Sequence, residues 1–228
     1  MDGAVVTQSP GIGRLVRRIW DSTLGLKYIM AITGLALIGF LIVHIVGNLQ
    51  VFSGPEKLNH YAEFLQSLGT PKWALRGGLL ACVVLHIWSA ARITLRARAA
   101  RPIAYAYQAT VKASYASRTM RVSGFIVFFF IAYHLLHFTG HLGVAASDSV
   151  YDMVVHGFQN PLIAGCYTIA MLLIGGHLSH GISSMFQSLG LTNTQYKPAI
   201  EAVGPVVAWT VTLAAVSIPV SIFLGSVK

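Results

Sequence analysis

Long apolar stretches dominate the pattern of the chain. Five stretches contain no Asp, Glu, Lys or Arg, namely 28–55, 77–91, 122–147, 153–196 and 202–227. A helix that spans a bilayer needs about 20 mostly apolar residues, and all but the second stretch exceed that length. Trp73 and the long stems of Arg76 and Arg92 can extend the second stretch to a full span. The pattern predicts an all-α, polytopic membrane bundle in a single membrane domain over residues 1–228, with five transmembrane helices at about 28–51, 73–95, 121–143, 161–186 and 202–225.

The composition favours the same architecture. Of the 228 residues, 55% are apolar and only 10% are charged, and the mean hydropathy is +0.66. A soluble domain carries roughly a quarter charged residues, so the chain is not expected to be a soluble globule, a disordered chain or a nucleic-acid binder. Cys82 and Cys166 are too few for an iron–sulfur cluster or a disulfide framework, and we interpret them as small core residues. The first apolar run is too long for a cleaved secretion signal and is interpreted as a retained span.

The basic residues predict the orientation. Four Lys and Arg residues lie in 1–27, seven lie in 92–121 and Lys197 lies in 187–201, which puts twelve of the sixteen on one face of the predicted bundle. By the positive-inside rule this face is cytoplasmic, so the N-terminus is expected on the cytoplasmic side of the membrane and the C-terminus on the outer side. The net charge of +9 therefore needs no nucleic acid to explain it. The 92–121 loop is either a topology signal alone or also a docking surface.

Six of the nine histidines lie within the predicted spans, where ionisable residues are costly and usually face the bundle interior. His44 and His134 are 90 residues apart in spans one and three, and His86 and His177 are 91 apart in spans two and four. From helical rise, His44 and His134 lie about 20 to 25 Å from the cytoplasmic ends of their helices, and His86 and His177 lie about 20 to 25 Å from the outer ends of theirs. We call His44 and His134 the outer pair, and His86 and His177 the inner pair, after the predicted orientation.

Two facing imidazoles at one depth can occupy both axial positions of a haem iron, so two such pairs predict two haems b. Thr33-Gly34 and Ser123-Gly124 reinforce the repeat, because Thr33 and Ser123 each precede a histidine of the outer pair by eleven residues. That spacing puts them on the same helix face about 16 Å deeper, where small residues leave room for a second macrocycle. Ordinary packing of small residues is the alternative.

Other ligand frames stay open on spacing alone. His137 and His180 follow His134 and His177 by three residues each and keep the same separation of 43. Depth and the matched 90 and 91 separations favour His134 and His177, and we assign His137 and His180 to the haem surroundings or to interhelical hydrogen bonds. The cluster 134/137/141 could instead hold a non-haem metal. A di-metal oxidase or desaturase and a transporter are the competing function classes, and a visible spectrum separates them from a cytochrome.

The sequence around the histidines carries a family resemblance. LIVHIVGN around His44, ACVVLHIW around His86, SRTMRVSGFIVFFFIAYHLLH around His134 and GGHLSHGISSMFQSLGL around His177 closely resemble the dihaem cytochrome b anchor of succinate dehydrogenase and fumarate reductase. The resemblance is to the five-span, menaquinone-reactive type and covers nearly all of residues 20–225. It implies that the outer pair ligates a distal haem and the inner pair a proximal haem, in the register chosen above.

The resemblance also implies partners and a quinone site. The 92–121 and 187–201 loops are expected to meet the iron–sulfur subunit, which carries the flavoprotein subunit of respiratory complex II, an enzyme of the tricarboxylic acid cycle. The chain itself is expected to bind neither dicarboxylate nor flavin. Glu63 is the candidate proton carrier for quinone, with Asn59 and His60 as weaker neighbours, although a solvated or helix-capping Glu63 is the alternative. Ligand ring nitrogens are expected to be held by a carbonyl one turn earlier, such as that of Leu173 for His177.

Overall fold

The computed structural model describes residues 11–101, 103, 114–143 and 147–228, and all regular structure in these ranges is helical. The elements are α1 (Ile12–Asp21), α2 (Thr23–Asn48), a 3₁₀ turn (Leu49–Ser53), α3 (Pro55–Ser67), α4 (Thr70–Ala99), α5 (Tyr115–Phe138), α6 (Val150–Gln159), α7 (Pro161–Ser188) and α8 (Lys197–Phe223). Five of them, α2, α4, α5, α7 and α8, are long and apolar enough to cross a membrane. The prediction of an all-α bundle with five such helices is confirmed.

Local chemistry decides where the helices begin and end. The Ser114 side chain accepts a hydrogen bond from the Ser117 N–H and starts α5 six residues before the predicted 121. The helix ends at Phe138, where the Leu142 N–H bonds the Leu136 carbonyl and His141 adopts a left-handed conformation with φ 53°. Asn160 caps α7 and Pro161 occupies its first turn, so the apolar stretch that begins at residue 153 is divided between α6 and α7.

The long helices form a bundle in which α2 packs against α4 and α7, and α5 packs against α7. In the described part of the chain α4 and α5 have at most marginal contact, so the order around the bundle is α4, α2, α7, α5. The most extensive contact joins α7 to α8, where Gly175 lies against Thr212 and Gly204 against Ser183. Small residues at such seams let membrane helices approach closely.

The two ends of the bundle differ. Successive long helices run in opposite directions, so the end of the bundle reached by α1 also holds the C-terminus of α4, the N-terminus of α5 and the connection from α7 to α8. Here Trp20 of α1 packs against Trp88 of α4, with ring centroids 4.9 Å apart. The opposite end is covered by α3 and α6, which pack against each other. Most of the buried core lies under this cover, including Leu58, Tyr151 and Phe158.

Candidate functional site

The outer pair meets between α2 and α5. The ring centroids of His44 and His134 are 5.7 Å apart, and the ring planes are nearly perpendicular at 87°. A metal–imidazole bond is about 2 Å long, so two imidazoles on opposite sides of one metal ion have centroids about 6 Å apart. The rings are backed by aromatic neighbours one turn earlier, since His44 stacks on Phe40 and His134 on Phe130. The separation of the outer pair therefore suits a shared iron.

The inner pair is held by hydroxyl groups from neighbouring helices. The Nδ1 atom of His86 on α4 lies 3.3 Å from the Thr33 Oγ1 of α2 and 3.1 Å from the Met30 carbonyl oxygen. The Nδ1 atom of His177 on α7 lies 3.0 Å from the Ser123 Oγ of α5. Thr33 and Ser123, the corresponding residues of the predicted repeat, thus each contact one histidine of the inner pair.

The hydrogen-bond partners of His86 and His177 bear on which ring nitrogen of each imidazole carries the hydrogen. The Met30 carbonyl can only accept, so the His86 Nδ1 is the donor. The Ser123 Oγ lies 3.0 Å from both the Met120 carbonyl oxygen and the His177 Nδ1, and when its single hydrogen goes to the carbonyl, its oxygen accepts from the His177 Nδ1. A neutral imidazole with its hydrogen on Nδ1 has a free lone pair on Nε2. The carbonyl contact therefore gives His86 the tautomer that a metal ion requires, and the contact of His177 is compatible with the same tautomer.

Glycines next to these hydroxyls leave space for the rings. A Cβ atom on Gly34 would lie 3.3 Å from the His86 Cε1, and a Cβ atom on Gly124 would lie 3.7 Å from the His177 Cε1. Thr33-Gly34 and Ser123-Gly124 therefore make equivalent contacts on two helices. Because His44 and His134 follow these residues by eleven positions, the two pairs lie at levels about 16 Å apart along the bundle. The donor set and its spacing fit two irons with two axial histidines each.

His137 and His180, the competing ligands, lie in different surroundings. His137 is completely buried, its ring stacks on Tyr133 at 5.5 Å, and its Nδ1 lies 2.9 Å from the Tyr167 Oη. The His180 Nε2 lies 3.0 Å from the Ser184 Oγ on its own helix. Across the described residues, no group of three or more His, Cys, Asp or Glu side chains is arranged to hold a metal ion, and His141 is exposed beyond the end of α5.

Tyr167 is the site residue that the sequence analysis missed. Its hydroxyl lies 3.3 Å from the Nδ1 of His134 and 2.9 Å from the Nδ1 of His137. Spacing offers a signal that could have identified it, because Tyr167 precedes His177 on α7 by ten residues. That corresponds to about 15 Å along the helix, close to the distance between the inner and the outer pair.

The candidate quinone residues lie on α3, at the covered end of the bundle. Glu63 and His60 are exposed. Asn59 instead joins α3 to α6, because its Nδ2 donates to the Ser149 Oγ at 3.1 Å and its Oδ1 accepts from the Tyr151 N–H at 3.0 Å. Asn59 therefore has a structural role in holding the cover together.

The expected docking loops lie at the opposite end. In 92–121, residue 102 and residues 104–113 lie outside the described residues, while Arg96 and Arg98 lie in the last turn of α4. In 187–201, Lys197 begins α8 and lies 3.9 Å from Glu201. The described parts of both loops are therefore on one face of the bundle, as a common docking surface requires.

Residues 94–216, just over half of the chain, match the family described as succinate dehydrogenase/fumarate reductase transmembrane subunit. The matched range includes His134 and His177 and begins after His44 and His86. Comparisons with curated proteins and with solved structures give no match.

Proposed function

The chain belongs to the succinate dehydrogenase/fumarate reductase transmembrane subunit family, and we propose that it is the dihaem cytochrome b subunit of such a complex. It anchors the complex in a bacterial cytoplasmic membrane and passes electrons between the iron–sulfur subunit and menaquinone. The observation that carries the proposal is that His44 and His134 face each other, while Thr33 and Ser123, eleven residues earlier on the same two helices, contact His86 and His177. Family membership and the five long apolar helices support the coarser statement, a multi-pass membrane subunit with partner subunits.

The residues of the chain provide ligands and their orientation. Haem, when bound, supplies one-electron transfer. The outer pair and the inner pair would each hold one haem iron by two imidazoles, and such an iron would have no open position for oxygen or substrate. Thr33, Ser123 and the Met30 carbonyl hold the Nδ1 hydrogens of the inner pair, and such contacts fix ring orientation and raise ligand basicity. The enzyme is the whole complex, and the isolated chain is expected to have no succinate or fumarate turnover.

The two levels give the chain a path for electrons across much of the bilayer. We place the inner pair toward the cytoplasm, because the sequence predicts that twelve of the sixteen Lys and Arg residues belong to that end. An electron that crosses a potential of 100 mV involves about 2.3 kcal/mol. Two electrons therefore involve about 4.6 kcal/mol at that potential, which can help to drive succinate oxidation by a low-potential quinone or serve fumarate reduction in the opposite direction.

Partner and quinone sites follow from the same orientation. The basic end, with Arg96, Arg98 and Lys197, is proposed to meet the iron–sulfur subunit, which carries the flavoprotein subunit. Menaquinone is proposed to react at the covered end, nearer the outer pair. Glu63 is exposed on α3 at that end and is proposed as its proton carrier.

The proposal is tested on the complex purified with its partner subunits. A pyridine haemochrome assay should give two non-covalent protohaems per chain, because the sequence has no Cys-x-x-Cys-His attachment motif. His44→Ala and His134→Ala should each remove the same haem or convert it to high spin, because each leaves that iron with one axial ligand. Reduction of quinone should then fail, while artificial acceptors that react at the iron–sulfur end still function. His86→Ala and His177→Ala should instead affect the other haem.

The matched control is His156→Ala, because His156 is exposed on α6 and bonds only the Asp152 carbonyl of its own helix among the contacts described. It should leave two low-spin haems. A single haem per chain, or none, contradicts the proposal. If His44→Ala and His86→Ala remove the same haem, the pairing is wrong even though the chain is a cytochrome.

A further inference from the structure

The Tyr167 hydroxyl connects two imidazoles of α5 that have different surroundings. Its oxygen is 3.3 Å from the Nδ1 of His134, the outer-pair histidine, and 2.9 Å from the Nδ1 of the fully buried His137. A phenol has one hydrogen to donate. It can therefore donate to one of the two nitrogens and must accept at the other.

We call the two hydrogen bonds that join His134, Tyr167 and His137 the relay. Only one direction of donation along the relay leaves His134 able to bind a metal. If His134 donates its Nδ1 hydrogen to Tyr167, the lone pair on its Nε2 is free. Tyr167 then donates to the Nδ1 of His137, whose own hydrogen is on Nε2. In the reverse direction the hydrogen of His134 is on Nε2, and the ligand position is blocked.

We propose that His137, acting through Tyr167, is a positioning residue that fixes the metal-binding tautomer of His134. The inference rests on the proposed function, since it assumes that His134 is an axial ligand. This arrangement puts a hydrogen on the buried Nε2 of His137, which has no partner among the described residues. Unpartnered polar atoms are rare in protein interiors because they cost free energy. Here the hydrogen must be on Nε2 if Nδ1 is to accept from Tyr167.

The packing around His137 holds this end of the relay in place. The ring stacks on Tyr133 with planes 8° apart and lies 4.3 Å from the Phe138 ring centroid. The inner pair differs, because the hydroxyl groups that contact it are themselves bonded to backbone carbonyls. Thr33 bonds the carbonyl of Ile29 or Met30, and Ser123 bonds that of Met120. The outer relay therefore ends on a side chain that a substitution can change, and the inner contacts end on the backbone.

The consequence is a specific effect on one haem. A hydrogen bond from Nδ1 raises the basicity of a ligating imidazole, which favours ferric over ferrous iron. Loss of the relay should therefore raise the midpoint potential of the outer haem. Loss of outer-shell partners typically changes metal affinity by about 10-fold or more. A tenfold change in the ratio of ferric to ferrous affinity corresponds to about 59 mV for a one-electron couple.

The experiment is a redox titration of both haems in the purified complex, with the outer haem identified as the one that His134→Ala removes. Tyr167→Phe and His137→Leu should each raise the outer potential by an amount that corresponds to about a tenfold change in affinity ratio, and the inner potential should stay unchanged. His137→Gln should restore most of the potential, because its amide oxygen can accept from Tyr167. The double variant Tyr167→Phe/His137→Leu should shift no further than either single variant, because both break one relay.

Tyr133→Phe is the matched control, because Tyr133 stacks on the same imidazole and the substitution likewise removes one phenol hydroxyl. It should leave both potentials unchanged. An unchanged outer potential in Tyr167→Phe, an equal shift of both haems, or additive shifts in the double variant would overturn the inference. Absence of haem from the unsubstituted complex contradicts the proposed function itself. Two low-spin haems that Tyr167→Phe does not alter contradict only the relay.

Discussion

Ser123→Ala and Thr33→Val form a pair of substitutions whose effects should differ although their positions correspond. Ser123→Ala removes the acceptor that lies 3.0 Å from the His177 Nδ1. Thr33→Val keeps the side-chain shape and removes an oxygen 3.3 Å from the His86 Nδ1, but the Met30 carbonyl stays at 3.1 Å from the same nitrogen. His177 therefore loses its described partner, and His86 keeps one of two.

The magnitudes follow from these contacts. A buried donor left without a partner costs about 1–3 kcal/mol, and loss of an outer-shell partner of a metal ligand typically costs about 10–100-fold in affinity. Ser123→Ala should therefore weaken, by about 10-fold or more, binding of the inner haem, the haem that the inner pair is proposed to hold. Interhelical hydrogen bonds inside membranes average about 0.6 kcal/mol, or roughly threefold. Because His86 retains an acceptor, Thr33→Val should weaken binding of the inner haem by no more than that.

The assay is the rate at which the inner haem transfers from the detergent-solubilised complex to an excess of apomyoglobin. Ser217→Ala is the matched control, because this hydroxyl on α8 donates to its own helix, at the Ala214 carbonyl, and should have no effect. The outer haem provides an internal reference in each variant. If Thr33→Val releases the inner haem as fast as Ser123→Ala does, the hydrogen-bond geometry does not determine haem retention and the reasoning is refuted.

Two further predictions concern glycines. Gly34→Ala should displace the His86 ring by a few tenths of an ångström, since the new Cβ lies 3.3 Å from its Cε1, whereas Gly124→Ala makes an ordinary contact at 3.7 Å; the electron paramagnetic resonance spectrum of the inner haem should change in the first variant only, and equal spectra would contradict the stated clearances. Gly175→Ala places a Cβ 2.5 Å from the Thr212 Oγ1, while Gly176→Ala meets nothing within 4 Å; only the former should lower the thermal midpoint of the solubilised complex, and equal midpoints would argue against a tight seam between α7 and α8.

Much of the fold could be predicted because a bilayer constrains helix length and depth together. Charge-free stretches of sufficient length indicate spans, and helical rise then assigns each histidine a depth. The ends of α5 could not be obtained this way, since a serine cap and the turn at His141 determine them. Nor were α3 and α6 predicted as separate helices. Both are short elements whose packing depends on contacts such as the Asn59 hydrogen bonds, between residues about 90 positions apart.

The depths of the four histidines of the candidate site could be predicted from the sequence, whereas most of their side-chain contacts could not. Depth groups four histidines into two pairs, but it does not give the rotation of each helix about its axis. The carbonyl of Leu173 was expected to hold the His177 ring, and the structure has the Ser123 hydroxyl at its Nδ1 instead. The close approach at Gly124, which permits this contact between α5 and α7, is a property of two helices together. Tyr167 was missed for the same reason, because its role depends on a ring in another helix.

The repeat has a consequence that neither of its halves has alone. On α2, Thr33 contacts the inner pair and His44 belongs to the outer pair, while on α5 the same division holds for Ser123 and His134. Each of these helices therefore contributes an orienting hydroxyl at one level and a ligand at the other, about 16 Å away on nearly the same face. A shift of either helix along its axis must disturb both levels together. The halves differ where the extra contacts occur, at the Met30 carbonyl beside His86 and at Tyr167 beside His134. If the two haems have different potentials, these departures from the repeat are the positions at which the chain can set them independently.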